Sequence, residues 1–310
     1  MAPQVWLITG ATSGIGAALV DHLLARGDKV IASGRKVQER LGHLQSERLA
    51  LLELDITADL AEIQAKIKKA WDIFGNIDVL MNNAGMSALK SVEESDEALI
   101  NTMFQVNLFG HMRVTQAILP LLRAQGHGCI AFTSSGTAWA AIPFMTLYAS
   151  SKAALSSYAE GLHKEVRPLG IRCVAFECGG FPTSLGQPRD SSAGFGSIGS
   201  AIEGYATPLN SLLTKMMKNA MDLMPGDLSK AATTIGDVVK RENLAAGKPR
   251  AVRVAIGSDG TGWAQQKCEE MQKLLKDWKD ISRSTDRDGT TGAEALEVMH
   301  EYITIVETEH

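Results

Sequence analysis

Three side chains in one stretch have the types and spacing for acid–base chemistry: Ser135, Tyr148 and Lys152, in the run Ser134 to Lys152, S-S-G-T-A-W-A-A-I-P-F-M-T-L-Y-A-S-S-K. Tyr148 and Lys152 are four residues apart in a segment with helical spacing (Leu147, Ala154, Leu155, Tyr158), so one helical turn sets both on one face. A phenol titrates at about pH 10, and an ammonium one turn away, joined by a second positive charge, favours the phenolate and draws it toward the range useful for proton transfer. Ser135 precedes the tyrosine by thirteen residues, directly after the strand-like run Cys129 to Thr133. Its hydroxyl can hold a substrate oxygen while the tyrosine moves a proton. The outline is that of a redox or proton-transfer site, although such a pair also occurs on ordinary helix surfaces and gains meaning only from its context.

Residues so placed need a rigid frame. Strand-like runs at Val5 to Thr9, Lys29 to Ser33, Leu49 to Leu54 and Ile77 to Asn82 alternate with helical spacing, as in Ile15, Leu19, Leu23 and in Leu60, Ile63, Ile67, Trp71. The rhythm continues through a long helix from about Glu94 to Arg123, a strand at Cys129 to Thr133 and the Tyr148 helix to about Val166. A strand at Ile171 to Phe176, a helix from about Asp227 to Glu242 and a last strand at Arg250 to Ile256 complete it. This predicts an α/β fold, a doubly wound, Rossmann-like parallel sheet of six or seven strands with helices on both faces.

Residues 1–261 are expected to form that domain. Within it the stretch 183–227 loosens: Gly186, Pro188, Gly194, Gly196 and Gly199 are followed by Met216, Met217, Met221 and Met224 at near-helical spacing. This composition suits a lid over an apolar ligand or, equally, a surface loop and a packed helix. Residues 262–310 are expected to form a C-terminal helical extension. It holds a charged helix, Ala264 to Ser282, and a second, Ala293 to Thr308, whose Leu296, Met299, Ile303 and Val306 can make one apolar face.

The first strand runs into Thr9-Gly10-Ala11-Thr12-Ser13-Gly14-Ile15-Gly16 and then a helix. Strand, glycine-rich turn and helix together make a dinucleotide-phosphate site: Gly10 for the tight turn, Gly14 for close approach of the pyrophosphate, Gly16 for helix packing. At the end of the second strand the chain reads Ala32-Ser33-Gly34-Arg35-Lys36. No carboxylate stands there to repel a 2′-phosphate and Arg35 can form a forked pair with one, so NADP is favoured over NAD.

The 310-residue chain carries a net charge of −4 with both signs interspersed, which gives no argument for nucleic acid or an anionic membrane as partner. Cys129, Cys173, Cys178 and Cys268 form no Cys-x-x-Cys pair and the seven histidines are scattered, so neither a metal site nor disulfides are expected. The immediate N-terminal strand argues against a secretory signal. The uncharged run Gly128 to Ser151 reads better as strand, loop and helix start than as a membrane span. A cytoplasmic protein is expected.

With these pieces placed, the chain resembles the short-chain dehydrogenase/reductase family, in its single-domain Tyr-x-x-x-Lys type, over about residues 4 to 260. The resemblance rests on T-G-A-T-S-G-I-G at 9–16, Asp55 after the third strand, N-N-A-G at 82–85, Asn107 in the long helix, Ser135, Tyr148 and Lys152, all in the family's order. It implies that Tyr148 is the general acid for carbonyl reduction and the base for the reverse, with Lys152 lowering its pKa and holding the nicotinamide ribose. Ser135 would bond the reacting oxygen, with Ser134 as the competing serine that spacing disfavours, and Asn107 would support a water leading from Lys152 to solvent. Thr9, Thr12, Ser13, Ile15, Ser33, Asp55, Ile56, Asn83, Ala84, Gly85, Gly179, Phe181 and Thr183 would line the cofactor. Relatives often pair through the Asn107 and Tyr148 helices, which implies a homodimer or homotetramer.

One departure is the run Glu177-Cys178-Gly179-Gly180-Phe181-Pro182-Thr183, where cysteine replaces the family's usual proline. Glu-Cys-Gly before such a threonine resembles the 17β-hydroxysteroid and retinol dehydrogenase relatives. Ile256-Gly257-Ser258-Asp259 and the charged helix after it are similar to an oxidoreductase branch familiar from fungi. The expected function is an NADP-dependent carbonyl reductase or alcohol dehydrogenase for a medium-sized apolar ketone, aldehyde or alcohol. Met86, Trp139, Ile142, Phe144, Met145, Phe181, Met217 and Met221 are the candidate substrate contacts. A biosynthetic tailoring enzyme that couples reduction to dehydration, isomerisation or cyclisation, and a non-catalytic NADP sensor, stand as alternatives.

Overall fold

The computed structural model describes residues 3–44, 46–186, 200–218, 224–303 and 306–307. Seven strands form one parallel sheet: β1 (Val5–Thr9), β2 (Lys29–Gly34), β3 (Leu49–Glu53), β4 (Val79–Asn82), β5 (Gly128–Ser135), β6 (Ile171–Cys178) and, after a two-residue β7 (Arg250–Ala251), β8 (Arg253–Ile256). Their spatial order is β3-β2-β1-β4-β5-β6-β8, which leaves a crossover between the β1 and β4 ends where the chain reverses direction across the sheet. Alternate strand residues feed two cores, which is why the strands read as unbroken apolar runs. Leu7, Ile31, Leu80, Ile130 and Phe132 pack under helices α3 (Leu60–Phe74), α5 (Gly110–Gln125) and α6 (Thr146–Val166). Trp6, Ile8, Val30, Met81, Val174 and Phe176 pack under α1 (Gly14–Ala25) and α8 (Leu228–Lys240).

Three expectations change. The helix expected from Ala293 to Thr308 ends at Ile303, and Val306 lies in a strand that pairs with Ala251. The strand expected from Arg250 to Ile256 breaks at Val252, whose side chain is buried and whose carbonyl takes the amide of Ala175 (2.7 Å). Before it, β7 pairs antiparallel with β9 (Val306–Glu307) in a separate ribbon; after it, β8 pairs with β6. The long helix is also not continuous. α4 (Glu97–Phe104), capped by the Asp96 carboxylate on the Leu99 amide (2.8 Å), leads into a π-helical turn, Gln105–Phe109, before α5 begins. A Cβ on Gly110 would lie 2.8 Å from the Ile56 carbonyl, so α5 starts in close contact with the end of β3's loop, and the wide turn admits one extra residue before it.

α1 and α8 are joined by buried charges. The Lys240 Nζ, on a side chain 5 % exposed, lies 2.6 Å from both carboxylate oxygens of the fully buried Asp28, which also accepts the Gln4 amide. Arg26 pairs with Asp237 (2.8 Å) and with Glu242. Beyond the sheet come α7 (Glu203–Lys218), then α9 (Ser258–Asp277), α10 (Lys279–Arg283) and α11 (Ala293–Ile303). α9 starts inside the sheet domain and runs out of it. Leu275, Ile281, Leu296, Met299 and Ile303 of these last helices, and Trp278 between the first two, are exposed. Among the described residues no helix is long and apolar enough to cross a membrane.

Candidate active site

The C-terminal ends of β1, β4, β5 and β6 bring the candidate residues together. Tyr148, Lys152 and Ser156 recur every fourth residue on α6, and all three are buried. The Lys152 Nζ donates to the Thr133 carbonyl on β5 (2.7 Å) and sits 5.9 Å from the centre of the Tyr148 ring. Ser135, the last residue of β5, lies close enough to the Tyr148 phenol to act on its titration, while its Oγ accepts from the Thr137 amide (3.2 Å) and hydroxyl (3.0 Å). Ser134 faces the other way: its Oγ lies on the Lys152 carbonyl (3.1 Å) and the Ser156 hydroxyl (2.8 Å). Alternation along the strand thus separates the two serines by role.

Asn107 is held by four partners. Its Oδ1 accepts the Met86 amide (2.9 Å), and its Nδ2 faces the Met86 carbonyl (2.9 Å), the Ser151 hydroxyl (3.0 Å) and the Met103 sulfur (3.1 Å). The π-helical turn puts this buried amide against the N-N-A-G loop on one side and α6 on the other. A Cβ on Gly85 would stand 3.6 Å from both Asn107 Oδ1 and Lys152 Nζ, so Gly85 closes the space between them.

Electrostatics differ from the expected lowering of the tyrosine. Burial pushes the Tyr148 phenol up to about 12, and the neighbouring Ser135 draws it back only in part. Burial likewise pulls the Lys152 ammonium down to about 8. Both groups resist their charged forms for the same reason, so the lysine alone does not make a phenolate at neutral pH. Cys178, in register with Ser135 across β5 and β6, is near enough to act on both; burial holds its thiol neutral, pushed up to about 12.

The glycine loop fits a dinucleotide. Gly10 has φ +63° and a Cβ there would stand 2.7 Å from the Ala84 Cα; Gly14 has φ +56° with the Thr183 methyl against it. Ser13 precedes α1 without a capping side-chain bond, which leaves the first-turn amides of Gly14, Ile15 and Gly16 for a phosphate. Other candidates build the loop rather than face it. The Thr9 Oγ1 accepts the Asn83 and Ala84 amides (2.9 and 3.1 Å), and the Asn83 Nδ2 donates to the Thr9 and Gly10 carbonyls (3.0 and 3.1 Å). Ser33 is buried with its hydroxyl on the Ile8 carbonyl (2.9 Å), and the Ile56 side chain lies in the core. Asp55 takes both the amide and hydroxyl of Thr57 on its Oδ1. Gly179 makes room for Asp259, whose Oδ2 accepts the Gly180 amide (2.6 Å).

Arg35 is exposed just beyond β2. Lys36, at φ 55°, then turns the chain into the short α2 (Val37–Leu41), and Arg40 Nη1 comes 3.5 Å from the Thr12 Oγ1 on the glycine loop. Sequence reading missed Arg40; its position in the first turns after the second strand was the available signal. It also missed His111, buried with Nε2 on the Ala84 carbonyl (2.8 Å) and driven by burial, then by Lys152, down to about 3, hence neutral.

The substrate candidates divide. Met86 and Met145 pack with Leu147, Leu185 and Tyr148 in one apolar cluster beside the phenol. Phe144, at φ +65°, meets Tyr205 of α7 edge to face with ring centres 6.4 Å apart. The Phe181 ring lies where a Cβ on Gly226 would be, and the Gly226 amide returns to the Gly180 carbonyl (2.9 Å). The Trp139 indole N–H is turned onto Glu177. Met217 lies in the last turn of α7, and Met221 lies outside the described residues, as do Pro188, Gly194, Gly196 and Gly199.

Comparisons agree with this geometry. The family model for short chain dehydrogenases matches residues 4–193. The oxidoreductase BOA17 of Botryotinia fuckeliana is 29% identical over 283 residues, 90% of this chain and 98% of that protein. A short-chain dehydrogenase structure from Streptomyces avermitilis superposes with TM-score 0.75 at 29% identity, covering 92% of this chain and 100% of that one. A short chain dehydrogenase from Burkholderia cenocepacia, solved with NADP, gives 0.65 at 25% identity over 89% of this chain and 97% of that one. With Ser135, Tyr148 and Lys152 gathered beside a glycine loop at the C-terminal edge of a doubly wound sheet, the chain belongs to the short chain dehydrogenase family of oxidoreductases.

Proposed function

We propose that this protein is an NADP-dependent reductase or dehydrogenase for an uncharged, largely apolar carbonyl or alcohol. The observation that carries the reading is the buried Tyr148 phenol with Ser135 beside it, Lys152 one helical turn on with its Nζ 5.9 Å from the ring centre, and the methionine cluster next to it. NADP, when bound, supplies or takes the hydride. Ser135 holds the carbonyl oxygen, and Tyr148, protonated at neutral pH, gives its proton to that oxygen as negative charge grows there. Lys152 holds a positive charge below about pH 8, which favours the phenolate that remains. Asn107, which ties the Met86 backbone to Ser151, keeps the proton path next to Lys152 in place. Met86, Met145 and Leu185 present no charge to the substrate, which supports an apolar one. Three buried free cysteines and one exposed suit a reducing, cytoplasmic setting.

The phosphate-selective end is Arg35 with Arg40. Either Arg35→Ala or Arg40→Ala is expected to weaken NADPH binding by about 1.5–3 kcal/mol, roughly 10- to 150-fold, and to leave NADH binding unchanged. Fluorescence titration with both cofactors measures this. Equal affinity of the wild type for NADPH and NADH would refute the preference.

A further inference from the structure

Below the proton-transfer pair lies a buried charge that the proposed chemistry does not use. Glu177, 1 % exposed, is the penultimate residue of β6 and sits in register with Ser134. Its Oε1 accepts the Ser156 hydroxyl (2.9 Å) and two nitrogens of Arg253, Nε (2.8 Å) and Nη2 (2.7 Å). Its Oε2 accepts the Trp139 indole N–H, and the Arg253 guanidinium lies over the Trp139 ring, 4.1 Å from its centre. Four groups on three elements thus converge on one carboxylate.

Two of those contacts lead back to reacting groups. Trp139 closes the turn that follows Ser135, bonding its amide to the Gly136 carbonyl (3.0 Å), so the indole anchor fixes the path of the chain just beyond the serine. Ser156 is the third member of the Tyr148, Lys152, Ser156 face, and through Ser134 it is linked to the Lys152 carbonyl. Burying a carboxylate is costly unless it is paired and fully bonded, and here every partner is in place.

We propose that Glu177 is a positioning residue for the active site, setting the Ser135 turn through Trp139 and the Tyr148–Lys152 face of α6 through Ser156 and Ser134. The inference rests on the reading of Ser135 and Tyr148 as the proton-transfer pair. Glutamate is needed because only an ionised carboxylate accepts from all four donors; the amide of glutamine turns two donors of its own toward Arg253 or the indole.

The test pairs Glu177→Gln with Trp139→Phe, which keeps a ring and removes one donor. With folding checked by thermal melt and all assays run below both melts, Glu177→Gln is expected to lower kcat by about 10- to 100-fold with NADPH affinity unchanged. Trp139→Phe is expected to cost about 3- to 10-fold. The double variant should be no worse than Glu177→Gln alone, because both changes break one link. Wild-type kcat in Glu177→Gln, or losses that multiply in the double variant, would overturn the proposal. A second readout needs no turnover: in protein carrying nitrogen-15 tryptophan, the Trp139 indole proton, assigned by its absence from Trp139→Phe, should be shifted downfield and protected from exchange, and Glu177→Gln should abolish both. An exchanging, unshifted Trp139 signal in the wild type would sink the positioning role on its own. A bonded Trp139 in a protein that turns over no carbonyl would instead refute the proposed function.

Discussion

Tyr148→Phe is expected to lower kcat for carbonyl reduction by about 10²- to 10⁴-fold while the fold and NADPH affinity stay as they are. The ring of Tyr148 packs with Leu99 and Met103, and phenylalanine keeps that packing; only the proton donor is removed. The pH dependence of the wild type follows from the same two groups. Reduction needs Tyr148 protonated, and burial pushes it up to about 12, so its acid form persists through neutral pH. Reduction should therefore be flat at low and neutral pH and fall as Lys152, pulled down to about 8, loses its charge. Alcohol oxidation needs the phenolate and should rise with pH toward about 12, with the rise slowed above about 8 where Lys152 loses the charge that favours it. Steady-state rates in both directions, followed by NADPH absorbance across a panel of carbonyls and alcohols, test this. A Tyr148→Phe variant that reduces the best carbonyl at the wild-type rate would refute the assignment of the proton donor.

The largest stability effect is expected far from the chemistry, at the Asp28–Lys240 pair. Asp28→Ala removes the partner of an ammonium that has almost no access to water, and breaking a buried pair in this way costs about 3–5 kcal/mol. It also frees the Gln4 amide that enters β1, so the first strand and α8 loosen together. For a domain of this size the melting temperature should fall by on the order of 10 °C. Asp28→Leu with Lys240→Met replaces both charges by apolar groups, and is expected to recover most of the loss, because the pair offsets its own desolvation and adds little beyond that. Calorimetry of the three proteins decides it. If the single variant melts with the wild type, the pair is not buried as described.

Most of the frame was legible because its physics is local. Strands that are covered on both faces read as continuous apolar runs, and helices such as Leu60–Phe74 carry one apolar stripe. The glycine loop was legible for a similar reason, since Gly10 and Gly14 adopt backbone angles that few other residues tolerate. What could not be read depends on contacts between distant segments. Ser134 and Ser135 are neighbours in sequence, and only the pleat of β5 against α6 sends one to Ser156 and the other to Tyr148. The break at Val252 follows from β6 taking its carbonyl, and the reach of Arg40 to Thr12 from the left-handed turn at Lys36. Trp139 illustrates the same limit: its type suggested an apolar contact for a substrate, whereas its N–H finds a carboxylate contributed from β6.

The π-helical turn at Gln105–Phe109 has a consequence for how the gene can tolerate change. Such a turn is an α-helix with one residue inserted, so deleting a single codon there would restore an ordinary helix from Glu97 to Gln125. Everything downstream would then rotate by about 100° relative to α4. Gly110 would leave Ile56, and Asn107 would no longer reach Met86 and Ser151 at the same time. The two helices would survive the edit as helices, with their capping aspartate and their closing glycine intact. The length of the segment, more than its composition, is what selection on the active site would hold constant.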